Sequence, residues 1–160
     1  MSAPKPKRRS VVNASTAYLI HDLMRDAVEE GTGRAAVIEG LEVAGKTGSS
    51  SSLRDAWFAG DAGGIVTAVW VGLDREGSLG MTAGRAAAPL WKLFMEPATA
   101  GRGERKVARP VDIVVRRIDP RTGLRLSAHS SRGREELFRR SVQPRKKRLL
   151  RRDRPAGVIR

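Results

Sequence analysis

Residues 43–60, VAGKTGSSSSLRDAWFAG, hold two short strand-like runs around a serine-rich break, with one lysine, Lys46, between Gly45 and Gly48. The first run reads as a strand over residues 41–49, the second over 55–59. A third, over 65–73, carries Val66, Val69, Trp70 and Val71. Gly-rich and Ser-rich turns separate the three, which predicts an antiparallel meander. Upstream, Ile20, Leu23, Met24, Ala27 and Val28 recur at the 3, 4, 7, 8 spacing of one helix face. They predict a helix over residues 15–30, with Asn13 or Ser15 to cap its start and Gly31 to end it. Downstream, TAGRAAAPLWKLFMEPA predicts a second helix over 82–95, kinked at Pro89, with Leu90, Leu93 and Phe94 toward a core. Trp57, Phe58, Trp70, Trp91 and Phe94 are spaced as core aromatics of a sheet covered by a helix. The fold class is therefore α+β, a three-stranded antiparallel sheet flanked by helices.

Composition limits what this fold can do. A chain of 160 residues buries one modest core. It has no cysteine, so disulfides, thiolate metal sites and a cysteine nucleophile are excluded. His21 and His129 lie far apart without carboxylate-rich spacing and read as solvated; no metal site and no cofactor is expected. The opening MSAPKPKRRS leads into no apolar run, and the longest apolar run, 65–73, is too short to span a bilayer. Neither an export signal nor an anchor is therefore expected in these 160 residues. The net charge of +14 is lopsided: residues 1–100 hold 11 Lys/Arg and 11 Asp/Glu, residues 101–160 hold 20 and 6. Its densest part, RKKRLLRRDR at 145–154, has no interleaved aromatic residue and reads as a disordered basic tail rather than a nucleic-acid-binding module. The expected organisation is a basic, disordered leader at 1–12, a domain at 13–97, a linker and small strand element at 98–144 and the tail at 145–160. Within 98–144, one strand at 111–117 precedes a turn at DPRTG.

Lys46, Thr47 and Gly48 spell K-T-G. Together with TAYLIHDLMRDAVEEGTGRAA, TAVWVGLD, LGMTAGRAAAPLWKLFM, VVRRIDPRTG and REELF, in this order and spacing, they make the chain resemble the C-terminal third of the transpeptidase domain of class A penicillin-binding proteins. The resemblance covers residues 10–144 and implies a partial fold of the kind shared by penicillin-binding proteins and serine β-lactamases. In that family the triplet lies on the strand lining the cleft. The implied substrate-binding residues are Lys46, Thr47, Gly48 and Ser49, with the backbone N–H of Ser49 as an oxyanion-hole donor. The chemistry is consistent: a donor ending in a carboxylate needs a fixed cation and hydroxyl donors, and a strand puts Thr47 and Ser49 on one face. Gly45 and Gly48 would leave the backbone bare for an extended substrate to add as a strand. Implied partners are the peptidoglycan stem peptide and β-lactams, along with the rest of a transpeptidase. Contact with a membrane is expected only through an anchor outside this chain or weakly through the tail. The family acts outside the cytoplasmic membrane, in the periplasm or cell envelope.

The family also needs an S-x-x-K serine nucleophile and an S-x-N loop. Ser2 and Lys5 match the first formally, but Pro4 and Pro6 bar the helix that would set them one turn apart. Asn13 is the sole asparagine, and Val11 stands two residues before it. The expectation is a fragment of a transpeptidase, from a split or decayed gene or a mis-set start, inactive alone. Such a fragment would expose apolar surface where the family sheet has further strands and a helical half. The alternative is a non-enzymatic basic protein whose C-terminal tail contacts nucleic acid or an anionic surface. Of the smaller features, SSSS reads as a polar loop, and Arg54 with Asp55 as a structural pair near the cleft.

Overall fold

A computed structural model describes residues 9–103 and 107–146. The basic stretches at 1–8 and 147–160, with Ser2, Lys5 and most of the expected tail, lie outside the described residues. The chain divides between Ala108 and Arg109 into two units.

In the first unit, helix α1 (Ala14–Glu29) starts at Asn13, whose side chain accepts the Thr16 N–H at 2.8 Å. This cap satisfies one of the amides that the first turn leaves unbonded. The chain leaves α1 through Gly31, where a Cβ would lie 2.8 Å from the Ala27 carbonyl oxygen. Of the apolar face read from the sequence, Val28 is buried, while Ile20 and Leu23 are exposed. Arg25 sits among Asp22, Asp26 and Glu29 and reaches Glu42 at 4.0 Å, tying α1 to the approach of the sheet. Burial alone would lower its pKa, but the charges of Asp22, Glu29 and Asp26 outweigh this and hold the guanidinium above its ordinary value.

Three strands follow, β1 (Val43–Ser49), β2 (Asp55–Ala62) and β3 (Ile65–Gly72), antiparallel in the order β1-β2-β3. The meander read from the sequence is present, with β2 three residues longer than expected. Gly63 and Gly64, both at positive φ, make the two-residue turn from β2 to β3.

Helix α2 (Ala83–Thr99) covers one face of this sheet. It runs on through Pro89, which has no amide proton to give the Arg85 carbonyl. Its buried residues include Ala83, Ala87, Trp91 and Met95, each four positions from the last. The small residues let the helix come close, and Trp91 and Met95 fill the space against Phe58. The Phe58 and Trp91 rings meet edge-on at 5.1 Å, and the Trp91 indole N–H donates to the Thr67 carbonyl at 3.0 Å. Fully burying side chains of this size contributes about 1.5–3 kcal/mol each, so this cluster fixes how helix and sheet meet.

That register corrects two sequence expectations. Leu90, Leu93 and Phe94 are exposed rather than core, because each successive residue turns about 100° and the Trp91–Met95 row already faces the sheet. Trp57 and Trp70 are about half exposed: with Phe58 turned toward α2, the two-residue period of a strand sends Trp57 to the opposite face, directly across from Trp70. Their rings lie 6.3 Å apart.

In the second unit, β4 (Ile113–Ile118) pairs antiparallel with β5 (Arg134–Arg139). The turn expected at DPRTG is present: the Asp119 carboxylate accepts the Arg121 N–H at 3.0 Å, and Gly123, at φ +68, donates to the Asp119 carbonyl. β4 lies at the strand expected over 111–117, whereas β5 forms in the charged REELF stretch, for which no element is expected.

Candidate functional site

The K-T-G strand β1 is an edge strand: β2 pairs with one of its sides, and no strand among the described residues pairs with the other. Hydrogen bonding fixes which backbone groups face that open side. Ser50 donates to the Asp55 carbonyl at 2.9 Å, so 50 and 55 are a bonded pair, and an antiparallel ladder alternates from there. Residues 48, 46 and 44 therefore spend their amides and carbonyls on β2. Those of Thr47 and Ser49 face outward.

The side chains sort by the same alternation. Thr47 and Ser49 share the face that α2 covers; Lys46 and Gly48 share the face of Trp57. Lys46 is exposed, and its ammonium folds over the strand edge to donate to the Thr47 carbonyl at 3.0 Å and Thr47 Oγ1 at 3.3 Å. It has no carboxylate partner among the described residues.

Both hydroxyls are held by neighbouring segments. Thr47 Oγ1 lies 2.6 Å from Thr32 Oγ1. Ser49 Oγ accepts the Ala83 N–H at 3.0 Å, at the first residue of α2, where the preceding Thr82 gives no side-chain cap. Ser49 thus caps α2 across space and keeps its own O–H to donate. Thr32 was not singled out from the sequence. Three glycines bring it here: Gly31 and Gly33 crowd the end of α1, and at Gly84 a Cβ would lie 2.4 Å from the Thr32 carbonyl oxygen. A threonine flanked by glycines just past a helix end was the available signal.

The two glycines of β1 differ in purpose. At Gly45 a Cβ would stand 2.5 Å from Phe58 Cζ, inside the ring's contact distance, so this glycine is required by core packing. At Gly48 the nearest atom is Trp57 Cβ at 3.6 Å, an ordinary contact. Nothing within the first unit demands a bare backbone there.

Three further expectations resolve here. Arg54 and Asp55 do not pair: Arg54 Nε reaches the Leu73 carbonyl at 3.5 Å, and Asp55 accepts the Trp70 indole N–H at 3.1 Å. Each is drawn across the sheet to β3 and its exit. Ser50, first of the loop serines, accepts the amides of Arg54 and Asp55 at 3.0 and 2.9 Å and so shapes the turn between β1 and β2. His21 is not simply solvated: its Nε2 lies 3.4 Å from Asp61 and its Nδ1 3.8 Å from Glu42, a polar bridge from α1 to the sheet.

Comparison with known proteins bears on what this strand is. The family model described as "Penicillin binding protein transpeptidase domain" matches residues 1–96. Penicillin-binding protein 1A of Pseudomonas aeruginosa is 35% identical over 144 residues, 88% of this chain and 17% of that protein. Penicillin-binding protein 1A of Aquifex aeolicus is 36% identical over 143 residues, 88% of this chain and 18% of that protein. The crystal structure of Penicillin-Binding Protein 1A from Haemophilus influenzae superposes with a TM-score of 0.75 at 32% identity, over 87% of this chain and 22% of that one. The chain spans about a sixth of the length of the curated relatives it matches. No helix among the described residues is long and apolar enough to cross a membrane.

Proposed function

Since the chain belongs to the transpeptidase family of penicillin-binding proteins, we propose that β1 is one wall of an acyl-transfer cleft whose nucleophilic serine comes from a part of the transpeptidase outside the described residues. In this reading the serine oxygen bonds to the carbonyl carbon of a peptidoglycan stem peptide. The C–N bond to the leaving amine breaks, and the leaving nitrogen takes up a proton. The amine of a second stem peptide then bonds to that carbon as the serine ester C–O bond breaks and the serine oxygen takes back a proton, which makes the cross-link. A β-lactam enters as the donor and stays on the serine.

The observation that carries the reading is the outward backbone of Thr47 and Ser49 beside the Lys46 ammonium, whose partners among the described residues are Thr47 oxygens. An extended peptide could add along this edge, its terminal carboxylate drawing Lys46 Nζ off the Thr47 carbonyl. Ser49 keeps its hydroxyl proton for the same carboxylate, the Thr47 hydroxyl stands beside it in contact with Thr32, and the Ser49 N–H can receive the developing oxyanion. Gly48, with room around it, gives the ligand its approach. The remaining part of the transpeptidase would cover apolar surface left open here, Ile20 and Leu23 on α1 and the Trp57–Trp70 face. The place of action is then the cell envelope, outside the cytoplasmic membrane.

Labelled penicillin tests this. The purified 160-residue chain should form no covalent adduct. Co-expressed with the preceding part of a class A transpeptidase that carries S-x-x-K and S-x-N, it should make that partner label. A stoichiometric, denaturation-resistant label on this chain alone would contradict the proposal, as would a partner that labels equally well without it.

A further inference from the structure

The second unit is strongly cationic on its own account: residues 109–146 hold 11 Lys/Arg against 4 Asp/Glu. Of the acids, Glu135 is taken by Arg117 at 2.7 Å and Glu136 by Arg134 at 2.8 Å, and the Asp119 carboxylate shapes the turn after β4. A cavity of about 550 Å³ opens beside β4, lined by Arg116, Arg117, Arg125, Lys146, Ser127 and Ser130 among others.

Backbone bonds build this cavity. Leu126 donates to the Arg117 carbonyl and Arg125 to the Arg145 carbonyl, both at 2.8 Å, so the segment carrying Arg125 is fixed between the end of β4 and the residue before Lys146. Arg116 Nε and Arg125 Nη1 both donate to one atom, Gln143 Oε1, at 2.7 and 3.0 Å. Two guanidinium groups thus meet at a neutral amide oxygen, which does not neutralise their charge. Among the described residues no carboxylate pairs with Arg116, Arg125 or Lys146. Arg117 Nε, in the same lining, is buried without a hydrogen-bond partner.

We propose that this cavity binds a small phosphorylated ligand. Converging cations held by a neutral acceptor repel one another until an anion sits between them. A phosphate offers acceptor oxygens in several directions and up to two negative charges, so it can engage several guanidinium forks together; a planar carboxylate suits one. Ser127 and Ser130 add hydroxyls. The volume falls within the range of small-molecule sites, and among the described residues no aromatic side chain lines it for base stacking, which sets it apart from a nucleic-acid groove. Either a free phosphate compound or a phospholipid headgroup would supply this chemistry.

The test is calorimetric titration of the full 160-residue chain with inorganic pyrophosphate, beside sedimentation with phosphatidylcholine vesicles containing phosphatidic acid. Saturable binding in either arm is expected, and the arm that binds names the source. Arg116→Gln with Arg125→Gln should weaken binding about ten-fold or more, as loss of charge-assisted bonds requires. Lys146→Gln, at an exposed position that does not endanger the fold, should weaken it in the same direction. Arg151→Gln with Arg152→Gln should leave it unchanged. Absence of saturable binding in both arms would overturn the proposal. So would binding lost in the Arg151/Arg152 variant but kept in Lys146→Gln, or an RNA oligomer that binds more tightly than pyrophosphate through the same arginines.

Discussion

Replacing each glycine of the K-T-G strand by alanine separates what the fold needs from what the cleft needs. In Gly45→Ala the new methyl would stand 2.5 Å from Phe58 Cζ, 2.8 Å from Cε1 and 3.1 Å from the Ala59 carbonyl oxygen. Phe58 is fully buried against Trp91, so its ring has no solvent to turn into. Inserting a methyl into a filled core costs about 1–3 kcal/mol. Against this, alanine lowers the entropy of the unfolded chain, a gain of about 0.4–1 kcal/mol. At the midpoints of these ranges the net expectation is a loss of about 1.3 kcal/mol, which for a domain of this size lowers Tm by roughly 5–10 °C. Gly48→Ala meets only Trp57 Cβ at 3.6 Å and should stay within about 0.5 kcal/mol of the parent. Thermal and urea unfolding of the parent and both variants, followed by circular dichroism, measures the difference. Gly45→Ala as stable as the parent, or Gly48→Ala as damaging as Gly45→Ala, would refute the assignment of Gly45 to packing and Gly48 to open space.

Ser49→Ala should cost about 1 kcal/mol in the same unfolding experiments although Ser49 is exposed, because the Ala83 amide at the start of α2 loses its acceptor; Ser49→Thr should restore most of it. Trp91→Ala should cost about 3–5 kcal/mol, enough to abolish cooperative unfolding of the first unit, since the side chain is fully buried and also satisfies the Thr67 carbonyl. Leu93→Ala, by contrast, should leave stability within about 0.5 kcal/mol, as expected of an exposed helix position, and a loss of several kcal/mol would restore the sequence expectation that Leu93 is core.

The elements were legible where a local signal suffices. Asn13 and Gly31 bracket α1, and the Gly63–Gly64 turn joins two runs rich in β-branched and aromatic residues. Facing was harder to read. TAGRAAAPLWKLFMEPA offers two apolar faces, one of alanines with Trp91 and Met95 and one with Leu90, Leu93 and Phe94. Bulk favours the second; contact with the sheet selects the first, because only small residues let the helix approach Phe58. Trp57 and Phe58 are adjacent, so a strand had to expose one of them, and nothing local says which. β5 escaped notice because RGREELFRR is dominated by charge, and its pairing with β4 spans residues far apart in sequence. In the site, the order of residues put Thr47 and Ser49 on one face, as found. The distant partners of those hydroxyls, Thr32 and Ala83, come only from the chain's return, and so does the alternation that turns the Thr47 and Ser49 amides outward.

The most direct measurement of the central claim is the second-order rate at which labelled penicillin acylates the reconstituted transpeptidase carrying Lys46→Ala. A charge-assisted contact to the ligand carboxylate contributes about 1.5–3 kcal/mol, so the rate should fall roughly ten-fold to more than a hundred-fold. Lys46→Arg should recover part of it, since a planar fork does not replace a compact ammonium at a strand edge. Removal of residues 145–160 should leave the rate nearly unchanged. Parent-like acylation by Lys46→Ala, with a large loss on removing the tail, would contradict the account and move the ligand contact away from the K-T-G strand.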